Sequence, residues 1–182
     1  MYKRQAEHFG KEGAFITKAT AQLMRDFGCV QSPINAYMLN LGLESLHVRM
    51  ARHCENGQAV AEFLASHPKI AYVNYCGLPG DKYHAVAEKY LPNGSCGVVS
   101  FGVKGGRKAA AAFMGHLKIA AIETHVADAR TCCLHPASST HRQMNDEQLI
   151  AAGVQPDLVR MSCGLEDKND LIHDIAQALD QI

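Results

Sequence analysis

The dipeptide His67-Pro68 divides this 182-residue chain into two stretches with different hydrophobic periods. Before it, apolar residues recur every three or four positions, the spacing of one helix face. Phe15, Ala19, Leu23 and Phe27 predict a helix over residues 14–27, and Gly28 closes it. Ser32-Pro33 is a helix start, a capping hydroxyl followed by proline at the first helical position. From Ile34 the apolar positions Met38, Leu41, Leu46, Met50, Val60, Phe63 and Leu64 extend the pattern to Pro68. That is one long helix, or two with a kink near Gly57, and it exceeds the usual globular length. Such a length suits a connector between domains.

After Pro68 the pattern alternates. Residues 70–75, 97–103 and 158–163 are strand-like, and 119–126 and 131–135 are shorter extended candidates. Between them lie a Gly/Pro-rich turn at 76–80 and helices over 84–91 and 107–117. The closing helix carries Leu171, Ile172, Ile175, Leu179 and Ile182 on one face, with Asp167 and Asp170 near its positive end. Strands interleaved with helices predict an α/β layer structure, a small sheet with helices on one face.

Lys plus Arg equals Asp plus Glu at 18 each, a poor footing for a nucleic-acid partner, which demands clustered positive charge. No stretch approaches the ~20 apolar residues of a membrane span. The first eight residues have no apolar core, so they do not read as a signal peptide. Seven cysteines include no Cys-x-x-Cys pair, and Cys29, Cys96, Cys132, Cys133 and Cys163 sit among apolar neighbours as buried thiols do. A reduced, cytoplasmic setting follows most simply.

Five features invite a chemical reading. Gly102, Gly105 and Gly106 before a helix match neither the P-loop nor the dinucleotide fingerprint, and a turn leaving a strand explains them as well. His125, His135 and His141 lack the close spacing of zinc ligands, so no metal site is expected. Cys132 and Cys133, adjacent on a strand, point to opposite faces and serve packing. Thr17-Lys18 lies inside an amphipathic helix and reads as a solvated face. Arg160 is different: a guanidinium in an apolar strand, between Val159 and Met161, must turn outward or find an anion. A structural salt bridge to Glu166 or Asp157 and a fork-shaped clamp for a substrate carboxylate both satisfy that demand.

Read together, several stretches resemble the Cys/Met-metabolism family of pyridoxal-phosphate enzymes. They are Ser32-Pro33-Ile34-Asn35-Ala36, Gly42-Leu43-Glu44-Ser45-Leu46 with Arg49 and His53, and Val73-Asn74-Tyr75-Cys76-Gly77-Leu78-Pro79. Lys104-Gly105-Gly106, the run from His135 to His141, and the run from Leu158 to Asp167 complete the set, in order from about residue 13 to the end. Ala14-Phe15-Ile16, Arg25-Asp26-Phe27-Gly28, Lys89-Tyr90-Leu91-Pro92 and Asp128-Ala129-Arg130-Thr131 are similar to the O-acetylhomoserine sulfhydrylase branch. Leu41 stands where the lyase and cystathionine-forming branches tend to carry a basic residue, whereas His125 replaces the branch's usual asparagine.

The resemblance implies fold type I: residues 1–49 as the exit from a large cofactor-binding domain and 50–182 as the small carboxy-terminal domain that closes over substrate. Its sheet is expected to be mixed or antiparallel, with helices on one face and long connecting helices ahead. The implied activity is γ-replacement on O-acetylhomoserine by sulfide in methionine biosynthesis. Methionine γ-lyase and cystathionine γ-synthase are the sister activities, and a non-catalytic binding or structural domain is the alternative of another class. The implied cofactor is pyridoxal 5′-phosphate, the partners an amino-acid substrate and a homo-oligomer, tetrameric in the family. By carry-over Arg160 grips the substrate α-carboxylate and Thr131 is a small hydroxyl residue beside it. No residue is assigned catalysis or cofactor binding, because the Schiff-base lysine, the acid facing the pyridinium nitrogen and the phosphate ligands are expected ahead of residue 1. The chain alone is therefore expected to be inactive.

Overall fold

The computed structural model describes residues 3–182, with side chains from residue 6 onward except at position 9. The chain divides into two compact units, Met1–Ser45 and Leu46–Ile182. The first holds α1 (Lys3–Thr17), a π-helical stretch Lys18–Met24, α2 (Arg25–Phe27) and α3 (Pro33–Glu44). Gly28 ends the α2 turn in the left-handed conformation at φ 67°. Ser32 caps α3 by accepting from the Asn35 N–H, with Pro33 at the first helical position.

The second unit runs α4 (Leu46–Ser66), β1 (Ile70–Asn74), α5 (His84–Tyr90), β2 (Val98–Val103), α6 (Gly106–His116), β3 (Ala121–Ile122), β4 (Cys132–Leu134), α7 (Asp146–Ala151), β5 (Leu158–Ser162) and α8 (Lys168–Asp180). The interruption of the long helical pattern falls at Ser45, not at Gly57. Gly57 is a close-approach residue instead. A Cβ there would stand 2.5 Å from the Cys96 carbonyl oxygen and 3.0 Å from the Gly97 Cα, so α4 presses on the backbone entering β2. Of the extended candidate 119–126 only Ala121–Ile122 pairs, and Cys29, expected inside, is exposed.

The five strands lie in the order β1-β2-β5-β4-β3, antiparallel except for the parallel β3–β4 pair. Strand alternation sorts their side chains. Val99, Phe101, Val103, Val159, Met161 and Cys133 face a core closed by Val60, Ala61 and Leu64 of α4, Phe113 of α6, and Leu171, Ile175 and Leu179 of α8. Helices thus cover one face of a mixed sheet. Phe101 meets Phe113 edge-on at 5.8 Å between ring centres. Val98, Ser100, Leu158 and Arg160 point to the uncovered face.

In the first unit Phe15, Ile16, Phe27, Ile34, Met38, Leu39 and Leu43 are all more than half exposed. Apolar surface exposed on this scale favours association. The chain by itself is expected to bind a hydrophobic dye and to sediment heavier than a monomer. A compact, dye-silent monomer in the ultracentrifuge would show these side chains buried in solution.

Candidate functional site

β5 occupies the centre of the sheet, so its outward residues are walled on both sides. Arg160 lies opposite Ser100 on β2 and Leu134 on β4. Its Nη2 donates to the Thr124 carbonyl at 2.8 Å, and neither Glu166 nor Asp157 pairs with it. Glu166 is bound to Thr131, and Asp157 accepts the Tyr72 hydroxyl at 3.3 Å. The salt-bridge alternative therefore does not hold among the described residues. The guanidinium borders a hollow of roughly 460 Å³ lined by Val98, Leu134, Pro136, Thr140, His141 and Leu158, together with Ser100 and Thr124. Among the described residues, its other N–H donors meet no protein acceptor.

An arginine in that setting is attractive to an anion. Its charge is met by one neutral carbonyl dipole, and the apolar walls weaken competition from water. The planar fork suits a carboxylate in particular.

Thr131 and Arg160 are not brought together. Thr131 is fully buried at the head of β4. Its N–H and hydroxyl donate to the two carboxylate oxygens of Glu166 at 2.7 and 2.8 Å, and its hydroxyl accepts from the Gly164 N–H at 2.8 Å. Every hydrogen-bonding group of that side chain is thus engaged with the turn after β5.

The loop from β4 to α7 forms another wall. His135 is buried; its Nε2–H donates to the Pro156 carbonyl at 2.9 Å, which leaves Nδ1 to accept from Ser138 Oγ at 2.8 Å. Thr140 Oγ1 lies 2.9 Å from His141 Nδ1, and both residues face the hollow. Sequence reading assigned neither a place in the site. His125, exposed, stands with the half-buried Glu123 and Asp128, and Arg130 engages both Glu123 oxygens at 3.1 and 3.2 Å.

Cys132 and Cys133 point to opposite faces, the second into the core. Burial pushes the Cys163 thiol up to about 12 and raises that of Cys133 as well. Lys18 is held on its own helix by Gln22 at 2.5 Å, and Gly105 and Gly106 form the left-handed turn into α6.

Comparison with known proteins fixes what this arrangement belongs to. Residues 10–180 match the model of the Cys/Met metabolism PLP-dependent enzymes. The chain belongs to that family. It is 45% identical to the O-acetyl-L-homoserine sulfhydrylase of Leptospira meyeri over 93% of its own length and 38% of that protein. Against O-acetyl-L-homoserine sulfhydrylase 1 of Thermus thermophilus it is 43% identical, covering 97% of itself and 42% of the relative. In structure it is similar, with a TM-score of 0.82 and 36% identity, to an O-acetylhomoserine (thiol)-lyase from Campylobacter jejuni solved with a pyridoxyl-lysine monophosphate. The alignment covers 91% of this chain and 39% of that one. The chain thus spans about two fifths of the length of these relatives.

The family is PLP-dependent, which raises the question of fit. The described lysines are surface groups: Lys69 reaches the Leu179 and Ile182 carbonyls, Lys104 the Pro68 carbonyl, and Lys168 Glu55. None of these three lines the hollow beside Arg160, and what the described residues offer there is a guanidinium between apolar walls.

Two supports of this site can be measured. Thr131→Val keeps the shape but leaves the Gly164 N–H and one Glu166 oxygen without their partner, at a cost of about 2 kcal/mol. Urea unfolding should register that loss, and an unchanged midpoint would remove the link from the fold's supports. Burial, opposed by the Pro156 carbonyl, holds the His135 pKa below its ordinary value. The unfolded chain therefore takes up this proton first, so stability present above about pH 6.5 is lost as pH falls. His135→Gln, which keeps a donor for Pro156, should flatten the fall in unfolding midpoint between pH 7 and 5. An identical slope in the two proteins would exclude His135 as its source.

Proposed function

We propose that this chain is the substrate-facing carboxy-terminal part of a PLP-dependent γ-replacement enzyme, converting O-acetylhomoserine and sulfide to homocysteine and acetate. The observation that carries the reading is Arg160. Its guanidinium is oriented by one neutral carbonyl, unpaired with Glu166 or Asp157, and open to an apolar hollow. The names of the relatives support the substrate, and the family supports the cofactor. The cofactor is held, in this proposal, by the part of the family's length that this chain does not span. When bound, it supplies the electron sink that lets the γ-substituent leave.

The residues of this chain bind and orient. Arg160 takes the α-carboxylate in two parallel hydrogen bonds and so sets the direction in which the amino acid's side chain extends. Val98, Leu134, Pro136 and Leu158 exclude water around that ion pair and strengthen it. Thr131, carried over as a neighbour of the carboxylate, serves this reading through its place at the head of β4, the strand that sets Leu134 beside Arg160. The remaining parts of the proposal are a small domain that begins near residue 50, a homo-oligomer, and a cytoplasmic place in methionine biosynthesis.

In the enzyme completed by the cofactor-binding portion of a relative, Arg160→Ala should weaken substrate capture at least about thirty-fold, the cost of stripping one partner from a desolvated charge pair. Folding and cofactor content should stay near those of the parent. Arg160→Lys should recover part of the loss, since a point charge cannot reproduce the fork. A destabilised Arg160→Ala that binds substrate normally would make the residue scaffolding. Homocysteine from sulfide, rather than cystathionine from cysteine or methanethiol from methionine, separates the proposed activity from its sisters.

A further inference from the structure

The hollow beside Arg160 has one wall that the sheet does not build. Pro136, Thr140 and His141 belong to the loop between β4 and α7, which His135 anchors at its start through the Pro156 carbonyl; beyond it the backbone bonds are short-range, among them Ser139 and His141 N–H to the Pro136 carbonyl, Arg142 N–H to Ser139 and Met144 N–H to His141. Its start, His135 to Ala137, is buried, whereas the stretch from Ser139 to Met144 holds its own turns by local bonds. A single side chain from elsewhere grips both of its ends. Arg107, in the first turn of α6, donates Nη1 to the Ala137 carbonyl near the loop's start. Its Nε and Nη2 donate to Asp146 Oδ1, and Nη2 also lies 3.4 Å from the Met144 carbonyl, both near the loop's end. Five donors in a rigid plane make this bridge possible, and a lysine could satisfy one end at a time.

We infer that Arg107 is a positioning residue of the substrate site: it staples residues 137–146 so that Thr140 and His141 stay against the hollow that Arg160 borders. The inference rests on the reading of Arg160 as a carboxylate site. Energetic scale separates this role from plain scaffolding. The Arg107–Asp146 pair is 31% and 58% exposed, and an exposed pair adds little to global stability. A displaced loop, by contrast, weakens binding steeply, because a misplacement on the order of one ångström is enough to spoil a positioned site.

The test uses the 182-residue chain with radiolabelled L-norvaline, a simple amino-acid carboxylate, in equilibrium dialysis. Hydrogen exchange of residues 136–146 is read by mass spectrometry on the same samples. The unsubstituted chain should bind the probe, and Arg160→Ala should lose at least about tenfold. Arg107→Met should weaken binding at least about fivefold, with faster exchange confined to 136–146 and a melting midpoint within about 4 °C of the parent. Arg107→Lys should fall between the two. Parental affinity in Arg107→Met, with Arg160→Ala deficient, overturns the staple alone. So does a fivefold loss accompanied by faster exchange throughout β2 and β5, which would mark general unfolding. No binding by the unsubstituted chain, or equal binding by Arg160→Ala, overturns the carboxylate reading and the staple with it.

Discussion

The turn that leaves β5, from Cys163 to Glu166, holds the second unit together. Its backbone is gripped from three directions. His53 Nδ1 donates to the Cys163 carbonyl at 2.7 Å, and Asn56 Nδ2 donates to the Gly164 and Glu166 carbonyls at 2.9 and 2.8 Å, all from α4. Cys163 N–H reaches Gly97 ahead of β2, and Leu165 N–H reaches Ala129 ahead of β4. The Glu166 carboxylate then closes on Thr131 through both oxygens. Gly164 is what permits the approach, for a Cβ there would stand 2.5 Å from the Ala129 oxygen and the Thr131 nitrogen. These bonds tie α4, β2 and β4 to one turn, while His53 Nε2 and Asn56 Oδ1 stay buried without a partner among the described residues. The arrangement fixes the central strand in line, and the direction in which Arg160 leaves it.

A buried carboxylate extends that control to the far edge of the sheet. Asp174 of α8, 3% exposed, accepts the N–H groups of Lys118, Ile119 and Ala120 at 2.8, 2.9 and 3.2 Å. It satisfies the backbone between α6 and β3, where no regular ladder could, and so sets where β3 begins. Two residues past β3 comes Thr124, whose carbonyl holds Arg160, and Ser162 Oγ accepts the Ala127 N–H at 3.0 Å a little further on. Side chains on the covered side thus decide the geometry of the open side.

Local signals in the sequence located most of the elements, because periodicity, caps and glycine turns act over a few residues. The Ser32-Pro33 start and the Gly28 stop are of that kind. So was one signal passed over: Asn145 and Gln148 form a reciprocal capping box that starts α7. What could not be read locally was decided by distant partners. Gly57 looked like a kink because glycine weakens helices, yet its missing side chain admits the Cys96–Gly97 backbone, and the break falls at Ser45. The two readings of Arg160 differed in whether Glu166 or Asp157 was free to pair with it, and nothing near Glu166 in sequence announces that Thr131, thirty-five residues away, holds it. The family motifs included the run from His135 to His141 without assigning it to the site, and the structure places Pro136, Thr140 and His141 against the hollow.

Two other arginines of the second unit are answered differently from Arg160. Arg107 and Arg130 meet carboxylates, Asp146 for one and Glu123 for the other, so their charge is already answered. Arg160 meets a carbonyl. Its neighbours across the strands are Ser100 and Leu134, and neither brings a negative charge. The guanidinium is only part-buried, so in the chain alone water answers what the single dipole does not. A carboxylate at position 100 or 134, both directly opposite, would have answered it within the fold. Instead the charge is left for an anion from outside, and a carboxylate that brings its own two oxygens completes what the sheet leaves open.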